Sequence, residues 1–297
     1  MKMNADEIKE ILIALNQSNG IPIQITAQTE GTQFLIITLI SLISVGFICL
    51  VLWNGTLKPL VGSLYAKFLL RQMKKTLGTR ILLIKHTTQG MFDSSMIDNK
   101  TLLDIETAFT KFKSEPVSFI LHTPGGVIFP AQMIMQGIVN YPNTTQAIVP
   151  LYAMSGGTLL ALACNKIIMG DYASLGPIDP QLGNLFGYGS AQSWKRVVKR
   201  KGRHASDIAI QMAFIGEQYT KTIANQIRRV LTNKIQNAEQ LEQAVEFLTS
   251  GNIEHGYQVT AELLSSLGIK TDKLPPEIKS KLIKIINSSM IEGVYFL

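Results

Sequence analysis

Apolar and polar positions change their rhythm twice along this chain. From Phe34 to Trp53 nearly every position is apolar and none is charged. About 20 such residues cross about 30 Å of hydrocarbon, so the run predicts a transmembrane helix; a helix on a soluble domain would keep a polar face. It starts too far from the N-terminus, and lacks a following small-residue cleavage site, for a removable signal peptide. Lys58, Lys67, Arg71, Lys74, Lys75 and Arg80 follow with no acid before Asp93, whereas residues 1–33 carry Lys2 and Lys9 against four acids. Basic flanks stay cytoplasmic. The expectation is a single-pass protein of the inner (plasma) membrane. Residues 1–33 lie outside, 34–53 span, 54–79 form a basic juxtamembrane linker and 80–297 form a cytoplasmic domain.

From Arg80 onward, short β-branched runs alternate with helical patterns. Ile81–Lys85, Val117–Leu121, Ala147–Tyr152 and Lys166–Met169 read as strands, and Thr101–Phe112, Phe129–Val139 and Thr158–Cys164 as helices. This alternation predicts an α/β domain with a mainly parallel sheet flanked by helices, its chemistry at the strand-to-helix turns. Between Gly183 and Ser206 the pattern lapses into glycines and the basic run Lys195–Arg203, which reads as a mobile insertion with a short helix. Helical periodicity returns over Ile208–Leu248. A loop over Gly251–His255 leads to a last helix from Thr260, with Pro275-Pro276 as its stop.

Two turns stand out: His122-Thr123-Pro124-Gly125-Gly126 and Ala153-Met154-Ser155-Gly156-Gly157. Glycine pairs let backbone approach a ligand closely. If the turns face each other, the amides of Gly126 and Gly156 form an oxyanion hole while the Ser155 hydroxyl sits at a helix N-terminus, ready to attack a carbonyl. The plainer reading makes Ser155 an N-cap and the glycines turn residues. Charge and cysteines narrow the classes. The net charge of +7 clusters after the apolar run and in Lys195–Arg203, and no zinc-finger spacing, RNA-recognition signature or basic heptad helix accompanies it, so nucleic acid is not the expected partner. Cys49 and Cys164, in an apolar run and a helix, suggest neither disulfide nor thiolate metal site. No phosphate-binding Gly-x-x-x-x-Gly-Lys-Ser/Thr loop is present, and no metal, nucleotide or other cofactor is implied.

The two turns, followed by Gly176-Pro-Ile-Asp-Pro-Gln-Leu-Gly183 and by Leu248-Thr-Ser-Gly-Asn-Ile-Glu-His255, together resemble the serine dehydrogenase proteinase family, a distant relative of Clp protease and signal peptide peptidase A. The similarity runs from about Arg80 to Lys284. It implies the ClpP/crotonase-like fold after an N-terminal membrane segment, a serine peptidase acting on proteins or peptides, and a tendency to homo-oligomerise, for which Ile208–Leu231 offers a helix face. It also implies a triad of Ser155, Asp179 and His255. Serine needs a positioned base, an imidazole exchanges protons at neutral pH, and a carboxylate fixes its tautomer.

Alternatives remain at this level. Asp179 reads equally as a turn residue and His255 as an exposed loop histidine. Signal peptide peptidases use a serine with a buried lysine base, for which Lys221 or Lys195 are the candidates. A crotonase-type enzyme would use the two amides on a coenzyme A thioester without a nucleophilic serine. A catalytically silent membrane scaffold of the same fold is the reading outside enzymes.

Overall fold

The computed structural model describes residues 10, 13, 28–87, 95–184 and 187–297. The chain divides into two units, after Leu57. In the first, helix α1 (Gln28–Leu52) runs into a π-helical turn at Trp53–Leu57. From Leu35 to Leu52 its side chains are exposed on every side, although nearly all are apolar. It is long and apolar enough to cross a membrane.

In the second unit, α2 (Lys58–Leu77) leads to β1 (Arg80–Lys85), α3 (Asn99–Phe112), β2 (Val117–His122), α4 (Ile128–Val139) and β3 (Thr145–Val149). There follow β4 (Tyr152–Ala153), α5 (Gly156–Ala163), β5 (Lys166–Met169) and β6 (Ser174–Leu175), then the hairpin β7 (Gln181–Asn184) and β8 (Gly187–Ser190). Helices α6 (Ala191–Lys201), α7 (Asp207–Thr232), α8 (Ala238–Thr249) and α9 (Ala261–Ser266), β9 (Asp272–Lys273), α10 (Pro276–Asn287) and β10 (Gly293–Phe296) complete it.

The main sheet has the order β10-β1-β2-β3-β5-β9, parallel throughout except for the antiparallel β10. Its strands carry apolar residues on both faces, as a covered parallel sheet requires. Leu82, Ile84, Phe119, Leu121, Ala147 and Val149 point to one core with α3, α4 and α5. Their neighbours Ile81, Leu83, Ile120, Ile148 and Ile168 point to the other. That period of two sorts the strands' side chains between two layers of helix.

The second layer corrects an expectation. Residues 54–79 were expected as a basic linker, yet α2 buries Ala66, Leu69, Leu70 and Met73, an i, i+3, i+4, i+7 stripe, against the sheet beside Ile278, Leu282 and Ile285 of α10. The cations that flank and oppose it mask the stripe in the sequence. Three further differences appear. The 183–206 stretch folds into the β7–β8 hairpin and an eleven-residue α6 whose N-cap, Ser190, accepts from the Ser193 N–H. Pro275-Pro276, expected as a stop, starts a helix instead, because proline's fixed φ and missing N–H suit the first turn. The strand expected over Ala147–Tyr152 is broken at Pro150 into β3 and β4.

Candidate active site

The motif turns meet at the C-terminal ends of the parallel strands. Met154 N–H donates to the Thr123 carbonyl at 2.9 Å and Thr123 N–H to the Tyr152 carbonyl at 3.3 Å, which pairs the first turn with the second. The buried Thr158 hydroxyl bonds the Ala153 carbonyl at 2.8 Å and the Gly176 carbonyl at 2.9 Å, and receives Gly176 N–H at 2.9 Å. One side chain at the start of α5 thereby ties the second motif to the third.

Ser155 stands between β4 and α5 with φ 49° and ψ −114°, a conformation L residues seldom adopt. As the N-cap it makes no side-chain capping bond, and its hydroxyl has no partner among the described residues. The N-cap reading therefore fails: the turn holds strain and leaves the hydroxyl uncommitted, the device used where a serine must be presented on a sharp strand-to-helix turn. Gly125, with φ +107°, lies so close that a Cβ there would sit 2.9 Å from both the Met154 carbonyl oxygen and Ser155 Cβ. Only glycine fits that contact.

The N–H groups of Gly126 and Gly156 have no partner among the described residues. An ideal Cβ on Gly156 would fall 3.7 Å from the Gly126 nitrogen, so the two turns lie side by side. Ile97 fixes Gly126 from outside, donating to the Gly125 carbonyl and accepting from Val127 N–H, each at 2.8 Å.

A cavity of about 380 Å³ opens over these groups, and its wall includes Gly126, Ser155, Gly156, Asp179, Gln181 and His255. Asp179 is buried, 2% exposed at its side chain, and its Oδ1 lies 2.6 Å from His255 Nδ1, the imidazole being 37% exposed. Gln181 Nε2 donates to Asp179 Oδ2 at 2.6 Å and lies 3.2 Å from His255 Nδ1. Both carboxylate oxygens thus meet side-chain donors, which is what a buried carboxylate needs, and the turn-residue reading of Asp179 does not describe it. With Nδ1 engaged, Nε2 is left for proton exchange. Ser155 and His255 share the cavity without a hydrogen bond between them, a separation common before substrate arrives.

Neither lysine candidate reaches the cavity. Lys221 is exposed on α7 and pairs with Glu217 at 3.1 Å, and Lys195 is exposed on α6. The buried lysine Lys85 spends its Nζ on the Ser288 and Ile291 carbonyls, 2.7 Å each. Burial pushes Lys234 down to about 8, but its Nζ donates to the Cys164 carbonyl, away from the site. Of the remaining histidines, His204 is exposed and does not line the cavity, and the other two are buried. His122, under the Tyr152 ring, is lowered to about 4 by burial and by Lys85, and His86, also lowered by burial, faces the Thr123 hydroxyl at 3.2 Å. Three contributions escaped the sequence reading: Gln181, quoted within its motif but given no role, the wall residues Ser95 and Met96, and the brace of Ile97 on the Gly125-Gly126 turn. The signal for Gln181 was its position two residues after an aspartate; for Ile97 there was none.

A family model described as ClpP-like SDH-type serine proteinase matches residues 33–296, nearly the whole chain. The chain belongs to this serine proteinase family. An uncharacterized protein of Methanocaldococcus jannaschii is 33% identical over 70% of this chain and 74% of its own, and a second from that organism is 29% identical over 74% and 76%. Among solved structures, a mutant of the 1510-N membrane-bound stomatin-specific protease is similar at 18% identity, covering 67% of this chain and 87% of its own, with a TM-score of 0.44. ClpP1 of Listeria monocytogenes, as a mutant, is similar at 14% identity over 70% and 99%, with a TM-score of 0.42.

Proposed function

We propose that the chain is a membrane-anchored serine peptidase that cleaves peptide bonds through an acyl-enzyme on Ser155. The observation that carries this reading is one cavity bearing a strained, uncommitted serine, two unpartnered amides and an Asp179–His255 pair.

In the first half-reaction His255 Nε2 takes the Ser155 proton as Oγ attacks the substrate carbonyl. The N–H groups of Gly126 and Gly156 receive the oxyanion, and Asp179 holds the imidazole in the tautomer with hydrogen on Nδ1 and steadies the imidazolium. The imidazolium then gives its proton to the leaving amine. Water, activated by the same imidazole, releases the acyl group and restores Ser155. Gln181 keeps the carboxylate aimed at Nδ1. The crotonase reading leaves the strained serine without a task, and a scaffold leaves the pairing of buried Asp179 with His255 without one.

Residues 34–53 provide the anchor, with the second unit on the cytoplasmic side by the charge asymmetry of the flanks. Ile208, Ile210, Phe214 and Ile215, exposed on α7, offer an apolar face for homo-oligomers.

Fluorophosphonate labelling of the full chain in detergent tests the chemistry. Wild type takes the label, Ser155→Ala does not, and His255→Ala labels at most a few per cent as fast. A folded wild type that stays unlabelled would sink the reading.

A further inference from the structure

Beyond the active site, we infer that the groove between α2 and the C-terminal strand binds the phosphate headgroup of an anionic phospholipid. The groove encloses about 660 Å³ and is walled by Lys67, Arg71, Lys74, Arg80 and Lys111, with no acidic side chain in its lining. Lys67, Arg71 and Lys74 recur at i, i+4 and i+7, on a face of α2 that flanks the stripe covering the sheet. None of these three makes an ion pair among the described residues.

The surroundings make the groove a built site. Its lining includes Phe112 and Phe296, and the exposed Lys111 ammonium lies 5.0 Å from the Phe296 ring centre. Arg80 gives one side of its guanidinium to Glu115, while its Nε–H is buried with no acceptor among the described residues. Buried donors are rarely left so. Outside the groove, helix and C-terminal segment are held together by close contact: a Cβ on Gly62 of α2 would meet the Met290 carbonyl oxygen at 1.8 Å. Convergent cations call for an oxyanion with several acceptor atoms, and the aromatic lining suits the glycerol end of a lipid. A phosphodiester headgroup meets both demands.

The lipid source follows from chain order and rests on the anchored reading above. Lys67 comes shortly after the apolar Phe34–Trp53 run, within the stretch where cytoplasmic basic residues meet anionic lipid.

The test places the full chain in nanodiscs of phosphatidylcholine alone or with phosphatidylglycerol, and reads acetylation of each lysine by an N-hydroxysuccinimide ester. Lys75, beside Lys74 on α2 but outside the groove, reports the bare surface potential. Phosphatidylglycerol is expected to slow labelling of Lys67, Lys74 and Lys111 about threefold to fivefold relative to Lys75. Arg71→Gln should remove most of that protection. Equal slowing at Lys75 means a diffuse potential and overturns the site. So does equal labelling in both bilayers, or equal protection by soluble glycerol phosphate in phosphatidylcholine discs, which assigns the groove to a free anion. Failure of the chain to enter either disc overturns the anchor instead.

Discussion

Asp179, Gln181 and His255 form a chain in which each member constrains the next, and their substitutions should separate by role. Asp179→Asn preserves shape but no longer fixes the imidazole tautomer, so kcat should fall by about 10^4-fold with the fold intact. Gln181→Ala removes one hydrogen bond to a buried carboxylate, with an expected loss of about tenfold in kcat and little change in KM. Gln181→Glu adds negative charge beside the pair, favours the imidazolium, and should move the acidic limb of the pH–rate profile to higher pH. An unmoved limb would show that Gln181 is only packing. His122 predicts a separate pH effect. Its folded value, about 4, lies below the ordinary 6.5, so the unfolded chain takes up the proton first and stability falls as pH drops from about 6.5 towards 4. Melting temperatures of wild type and His122→Gln across that window should show a shallower slope for the variant; His86, lowered in the same sense, contributes to the slope that remains.

At the scale of elements, the strand-to-helix turn at Ser155 is held by what abuts it. Gly125→Ala forces a Cβ into the Met154 carbonyl and Ser155 Cβ at an unfavourable φ, and fluorophosphonate labelling should fall far more than the melting temperature. Helix α2 carries a different load. It covers one sheet face with Leu69, Leu70 and Met73, so Leu70→Ala should cost about 2–5 kcal/mol in urea unfolding. A chain beginning at Lys58 should fold and take the label, whereas one beginning at Arg80 exposes Ile81, Leu83 and Ile120 and should aggregate. Soluble, labelled protein from the shorter chain would refute that account.

For the whole molecule, the apolar α1 and the exposed face of α7 set its company. Removal of residues 1–57 should release the protein from the membrane fraction while leaving fluorophosphonate reactivity, since every group of the site lies beyond Lys58. Phe214, 64% exposed, is the most exposed large apolar side chain on α7. Phe214→Glu should lower the mass seen by light scattering, and an unchanged mass would place the oligomer contact elsewhere.

Much of this was readable before any coordinates. The alternation of β-branched runs with helical patterns foretold β1, β2, β5, α3, α4 and α5 within a few residues, because burial on both sheet faces forces continuous apolar runs. The glycine turns pointed to Ser155, Gly126 and Gly156, since few backbones other than a close approach need paired glycines. What pattern alone left open was every decision made by partners distant in sequence. The apolar stripe of α2 was hidden under its own cations until the sheet showed which face was covered. His255 and Asp179 were singled out by family resemblance and not by pattern, which left them a loop histidine and a turn aspartate; in the fold they lie 2.6 Å apart. A lysine base remained open until packing put Lys221 and Lys195 at the surface. Local chemistry is written in neighbouring residues, but a proton relay depends on distances across 76 residues of chain, and only the packed core determines those.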